Sequence, residues 1–128
     1  MSAACPFCSP DPARIFLRLP LVYALWDGFP VSDGHALIVP HRHVSTWFEA
    51  TAEERAALFG AVEAVCSVIR AQWGADGFNI GVNVGEAAGQ TVPHLHLHVI
   101  PRRGGDVPDP RGGVRHVIPG KGNYLAGT

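Results

Sequence analysis

With 128 residues the chain has the length of one domain with one packed core, a single unit over 1–128. Its 47% hydrophobic and 16% charged residues exclude a disordered or fibrous protein. Ten basic against eleven acidic residues, a net charge of -1, supply no field that would draw it to nucleic acid, and no run approaches the ~20 apolar residues of a membrane helix.

Met1-Ser2-Ala3-Ala4-Cys5 lacks the charged start and apolar stretch of an export signal, so a cytoplasmic protein is expected. Three cysteines, an odd number, then argue for free thiols or metal ligands rather than a disulfide framework. In Cys5-Pro6-Phe7-Cys8-Ser9-Pro10-Asp11-Pro12 the prolines forbid both a helix and a central strand, so residues 1–13 read as a knuckle. Its Cys-x-x-Cys is half of a tetrahedral zinc site and also the spacing of a redox dithiol. A redox pair normally follows a strand and opens a helix that lowers the thiol pKa, which Ser9 to Pro12 prevents. Zinc is the favoured reading, with His41 or His43 of Pro40-His41-Arg42-His43 the nearest further ligand.

Short apolar stretches predict strands over Ile15–Leu19, Val22–Trp26, His35–Val39, Phe78–Val84 and His94–Ile100. The connections, such as Asp27-Gly28-Phe29-Pro30, are short and turn-rich, which implies an antiparallel sheet. Between the third and fourth strands Thr51 and Glu54 form a capping-box pattern that opens one long helix, Ala52–Trp73, ended by Gly74 and Gly77. Leu58, Val62, Val65, Cys66 and Ile69 recur at helical spacing and would lie on the sheet, which makes Cys66 a packing residue. An α+β domain follows, a five-stranded antiparallel sheet carrying one long helix. The Gly/Pro-rich extension 102–128 holds Val114–Ile118, which reads as an added edge strand.

In His94-Leu95-His96-Leu97-His98-Val99-Ile100 the alternation sends Leu95, Leu97 and Val99 to the core and sets the histidines on the other face at roughly 7 Å steps. Three imidazoles in a row have no packing rationale, because each carries nitrogens that need partners. Either all three bind one metal, or they divide labour around a nucleophile. The preceding Gly85-Glu86-Ala87-Ala88-Gly89-Gln90-Thr91-Val92-Pro93 favours the second, since its amides and the Thr91 hydroxyl suit phosphate oxygens.

Gly89-Gln90-Thr91-Val92 followed by the alternating triad resembles the signature of the histidine-triad (HIT) family, bacterial type and near its fragile-histidine-triad branch. Gly34-His35-Ala36-Leu37-Ile38-Val39-Pro40 and the following His43 resemble its Gly-His and Pro-x-x-His elements, and the likeness spans about residues 5 to 104. The resemblance implies a nucleotide hydrolase in which His96 attacks the α-phosphorus to give a nucleotidyl-histidine that water cleaves. It implies that His98 contacts the phosphoryl group or orients the nucleophile, that His35 supports the triad, that Gln90 and Thr91 hold phosphate and leaving group, and that Asp27 binds the ribose. Asn83 matches a phosphate-contacting position where the fragile-histidine-triad branch has glutamine, and Arg102 or Arg103 would meet a polyphosphate. Arg115 or Lys121 would contact substrate or a second subunit. By the same resemblance Cys5, Cys8, His43 and His94 hold a structural zinc, magnesium accompanies a polyphosphate substrate, the substrate is a purine nucleotide, and the protein is a homodimer without a nucleic-acid or membrane partner. A nucleotidyltransferase or phosphorylase using phosphate as acceptor, a nucleotide-binding scaffold of low turnover, and a zinc hydrolase using the whole triad are the rival readings.

Overall fold

The computed structural model describes residues 5–125. Five antiparallel strands, β1 Ile15–Arg18, β2 Val22–Trp26, β3 Ala36–Pro40, β4 Gly77–Val82 and β5 Leu97–Arg102, form one sheet in the order β1-β2-β3-β5-β4. Register decides the two faces: Ala24 opposite Ile38, and Ile38 opposite Leu97, turn one way, whereas Leu25 opposite Leu37, and Leu37 opposite His98, turn the other. On the first face Val22, Ala24, Ile38, Leu95, Leu97 and Val99 are buried beneath Leu58, Val65, Cys66 and Ile69 of the helical layer, with Val62 partly buried beside them. Each such large side chain contributes about 1.5–3 kcal/mol by leaving water. Cys66 is thus a core residue, and burial pushes its thiol pKa up.

The expected long helix is present as two consecutive segments, α1 Ala52–Gly60 and α2 Val62–Gln72. Gly60 weakens the helix at the joint, but Ala61 keeps helical angles and its N–H still reaches Ala57, so the bonding runs through. The capping box is formed: the Thr51 hydroxyl accepts the Glu54 N–H at 3.1 Å and the Glu54 carboxylate accepts the Thr51 N–H at 2.9 Å. Arg42 grips the same carboxylate through Nη2 at 2.7 Å and Nε at 3.2 Å, which holds the buried Glu54 below the usual carboxylate range and ties the segment of His41 and His43 to the helix start. Gly74, at φ 76°, caps the far end. Gly77, expected there too, instead opens β4.

Strand bounds differ from expectation where side chains, not ladder bonds, set the geometry. His35 lies just before β3, Asn83 just after β4, and His94 and His96 before β5. Gly34 explains the first: its φ is 90°, and a Cβ there would lie 2.9 Å from the Trp73 indole, so the turn closes onto the helix end before pairing begins. The expected edge strand at Val114–Ile118 is instead a 3₁₀ turn over Gly113–Val117. Gly112 and Gly113 both adopt positive φ, which coils the chain, and Val114, Val117 and Ile118 remain exposed. Among the described residues no helix is long and apolar enough to cross a membrane.

Candidate active site

The alternation of the triad survives outside the ladder because Leu95 donates its N–H to the Val44 carbonyl at 2.8 Å and remains in the core. His94, His96 and His98 therefore share the face opposite the helix. That face is not open, since Phe7 of the knuckle packs on it against Tyr23, Leu25, Leu37 and Val39. His94 is fully buried and His96 is 9% exposed. Which nitrogen of each imidazole is taken by a neighbour fixes what the other nitrogen can do.

At the first histidine the partners are metal-ligating. A carbonyl can only accept, so His94 Nε2 donates to the Pro40 carbonyl at 2.9 Å and its Nδ1 holds a lone pair. That Nδ1 faces Cys5 Sγ at 3.3 Å and Cys8 Sγ at 3.5 Å, while His43 Nδ1 is 3.1 Å from Cys8 Sγ. The four donor atoms lie within 4.8 Å of one another. Ligands on tetrahedral zinc stand about 3.5 Å apart for Zn–S near 2.3 Å and Zn–N near 2.1 Å, so the donor set, the spacing and the tautomer of His94 all fit that metal. Of the two histidines offered by the sequence, His43 joins the thiols. His41 turns away, its Nε2 donating to the Leu19 carbonyl at 2.8 Å and its ring stacking on Tyr23. No helix starts at either cysteine, as a redox pair would need.

The middle histidine is set up differently. His96 Nδ1 donates to the His94 carbonyl at 2.8 Å, which leaves the lone pair on Nε2. Phe7 packs on this ring at 4.9 Å between centroids. A neutral imidazole whose free nitrogen is the outer one is a nucleophile or a base.

The third histidine ends a chain of acid–base groups. The Val31 N–H donates to His35 Nδ1 at 3.2 Å, so the proton of neutral His35 sits on Nε2. That Nε2–H lies 3.0 Å from His98 Nδ1 and 3.3 Å from Asp27 Oδ2. Burial lowers the pKa of His35 against the raising effect of Asp27. Burial first, then His96 and His35, push His98 down to about 4, again with Asp27 opposing. Both rings are neutral near pH 7, and His98, accepting at Nδ1, carries its proton on Nε2. Asp27, His35 and His98 also lie close enough together to hold a metal, but the Val31 N–H keeps the His35 proton on the nitrogen that would have to ligate it. Asp27, partly buried, is fixed in this chain of groups from its other oxygen as well, for its Oδ1 accepts the Phe29 N–H at 2.7 Å.

The remaining expected residues divide. The β4–β5 register ends with Val82 opposite Leu97, and Asn83 follows directly, half-buried just past the strand. Thr91 is exposed and lines a cleft of about 550 Å³ with Gln90, Gly85, Gly89, Ser45 and Thr46. The Gln90 amide itself is committed to the loop: Nε2 donates to the Ser45 carbonyl at 2.6 Å and to Val92 at 3.1 Å, and Oε1 accepts from Gly85 at 3.0 Å. Gln90 thus shapes the loop, and its amide protons do not face a phosphate. The amides of Ala88, Gly89 and Gln90 likewise bond within the loop. Arg102 is not brought to His96. Six residues along the strand correspond to about 20 Å, and its guanidinium is taken by Asp106 at 2.7 and 2.8 Å and by Asn79 at 2.7 Å. Arg103 ties the carbonyls of Asp33 and Gly74, Arg115 bonds Gly122 within the tail, and Lys121 is exposed. Phe7 escaped the sequence reading, although a large apolar residue between two cysteines in a proline-rich loop was its signal.

A family model described as the HIT domain matches residues 9–105. The chain belongs to the HIT domain family. Among the relatives of this HIT protein, it is 36% identical over 96 residues to the Arabidopsis thaliana bifunctional bis(5'-adenosyl)-triphosphatase/adenylylsulfatase FHIT, covering 75% of this chain and 53% of that one. It is 38% identical over 102 residues to the AP-4-A phosphorylase of Mycobacterium tuberculosis, covering 79% and 52%. The chain therefore spans about half the length of these enzymes. The fold is shared with a crystal structure of a zinc-bound histidine triad family protein from Mycobacterium smegmatis, with a TM-score of 0.74, 33% identity and coverage of 83% and 84%.

Proposed function

We propose that this HIT protein hydrolyses dinucleoside polyphosphates or nucleoside phosphoramidates through a nucleotidyl-histidine intermediate. The observation that carries this is the His96 Nδ1–H bond to the His94 carbonyl, which leaves Nε2 unprotonated. In the first step the Nε2 lone pair forms a bond to the α-phosphorus as the bond from phosphorus to the leaving phosphate oxygen breaks, or, in a phosphoramidate, the bond to a nitrogen that leaves as the amine after taking a proton from solvent. In the second, water displaces His96 and releases the nucleoside monophosphate. The His98 Nε2–H donates to a phosphoryl oxygen as charge develops there. Thr91 and Asn83 meet the phosphates, with Gln90 holding the loop in shape, and Asp27 meets the ribose hydroxyls while backing His35. The relatives named for bis(5'-adenosyl)-triphosphate and AP-4-A support the substrate class.

Zinc, held by Cys5, Cys8, His43 and His94, would bind the knuckle to the strand and leave no ligand position for water, so it supplies structure rather than chemistry. A polyphosphate substrate would bring magnesium with it. The three unpaired cysteines support a cytoplasmic, reducing setting. The position of β4 as an outer strand of the sheet, with Ile80 37% exposed, supports pairing into a homodimer.

Mass spectrometry of protein quenched during turnover with diadenosine polyphosphates and with adenosine phosphoramidate tests the mechanism. An adenylyl mass on His96, lost in His96→Ala together with about 10⁴-fold or more of the rate, is the expected result. An unmodified His96 under rapid turnover would sink the proposal. Because one relative is a phosphorylase, inorganic phosphate is added in a parallel reaction, and a nucleoside diphosphate product would replace hydrolysis by phosphorolysis.

A further inference from the structure

Phe7 stands between the two cysteine ligands in sequence and between the metal centre and the nucleophile in space. It is 7% exposed, although its loop neighbours Pro6 and Cys8 are exposed. Its ring meets His94 edge-on at 5.8 Å and lies tilted against His96 at 4.9 Å. Its carbonyl accepts the Tyr23 hydroxyl, so the backbone at this point is anchored to the sheet as well as to the knuckle. On the other side, His96 is held by the carbonyl of His94, whose ring belongs to the same metal centre. The His98 ring also meets His96 edge-on at 5.1 Å, but two restraints on the nucleophile come from residues that a metal would lock, a ring from Cys5-Pro6-Phe7-Cys8 and a carbonyl from His94.

We infer that Phe7 is a positioning residue for His96, and that occupancy of the Cys5, Cys8, His43 and His94 centre sets the orientation of the nucleophile through it. The inference rests on His96 being the nucleophile. With the knuckle closed, the Phe7 ring blocks rotation of the imidazole and keeps Nδ1 on the His94 carbonyl, so Nε2 points outward. With the knuckle open, the ring withdraws, the imidazole turns, and its two neutral tautomers mix. Misplacing a reacting atom by an ångström can lower a rate about 100-fold, so a modest loosening is enough to be read. A platform for a nucleobase is the competing use of an aromatic ring here, and it differs in consequence. Stacking changes KM and leaves the tautomer of His96 in the free protein as it was.

The test follows the ¹⁵N signals of the histidine rings by NMR, together with the rapid-quench rate of adenylyl-His96 formation at saturating diadenosine polyphosphate. It compares zinc-loaded protein, chelator-stripped protein, and zinc-loaded Phe7→Leu and Phe7→Ala. The loaded parent is expected to show one Nδ1–H form of His96. Stripped protein and Phe7→Ala are expected to show mixed tautomers and adduct formation slower by about tenfold or more, with Phe7→Leu between them at full zinc content. An unchanged His96 signal in both stripped protein and Phe7→Ala, or a change confined to KM, overturns the inference. Should Phe7→Ala fail to fold or to hold zinc, Phe7→Leu decides, and adduct formation within about twofold of the parent overturns it. Failure of the underlying reading looks different, because the loaded parent itself would then form no adduct on His96.

Discussion

His94 and His98 are the same residue on the same face of the sheet, four positions apart, and they do opposite things. At His94 a carbonyl accepts the Nε2–H and leaves the Nδ1 lone pair to two thiols. At His98 a neutral histidine donates to Nδ1 and leaves the proton on an outward Nε2. One end of the row therefore offers a lone pair to a cation and the other offers a proton to an anion. The chemistry of an imidazole is decided by which nitrogen its neighbour occupies, and those neighbours come from distant parts of the chain, Pro40 in one case and His35 with Val31 in the other.

The largest expected effect breaks the first end alone. Cys8→Ser in place of a thiolate ligand should lower Tm by about 10 °C and zinc content to well below one per chain, read by calorimetry and elemental analysis. An unchanged Tm would mean that the cluster is no structural metal site. Acid should act on the second end. His98 is held near 4 when folded against 6.5 when unfolded, and His35 shifts in the same direction, so the unfolded chain binds more protons between those values. Stability of the zinc-loaded protein should be fully present above pH 6.5 and fall as pH drops towards 4, by up to about 3 kcal/mol for His98. His98→Gln should flatten that slope, and an identical pH profile in the variant would contradict a neutral, half-buried His98.

Asp27→Asn sharpens the comparison by removing the charge behind His35 and His98. Turnover should drop by about tenfold in kcat, and it should drop as much with a 2',3'-dideoxyadenosine substrate as with the ribonucleotide. An effect confined to KM and absent with the dideoxy substrate would leave Asp27 a ribose ligand only. The smallest effect belongs to Arg102. Roughly 20 Å along the strand from His96 and committed to Asp106 and Asn79, it should change kcat/KM less than about threefold when replaced by alanine. A tenfold loss would show that the tail reaches the reacting phosphates.

Much of the site was legible because its signals are local. Alternation alone places His94, His96 and His98 opposite Leu95, Leu97 and Val99, and it holds even where the ladder does not extend. The capping box of Thr51 and Glu54 is a four-residue pattern with one geometry, and it formed. Arg102 and Gln90 show what local signals leave out. Each is a polar residue near the triad in sequence whose hydrogen bonds are claimed by Asp106, Asn79 and the Ser45 carbonyl, partners that no motif reports. The tail strand failed because Gly112 and Gly113 adopt positive φ, so the apolar run after them coils instead of pairing.

By itself the sequence determined the α+β class, the alternation of the triad, the helix and its cap, and the Cys-x-x-Cys half of a metal site. Each depends on a period or spacing of a few residues, which short-range geometry reads directly. Only the tertiary structure decided the tautomers of His94, His96 and His98, the joining of His43 but not His41 to the thiols, and the seat of Phe7 on His96. Those outcomes depend on which buried carbonyl or N–H each ring nitrogen meets, and burial makes every such group take a partner, wherever in the chain that partner lies.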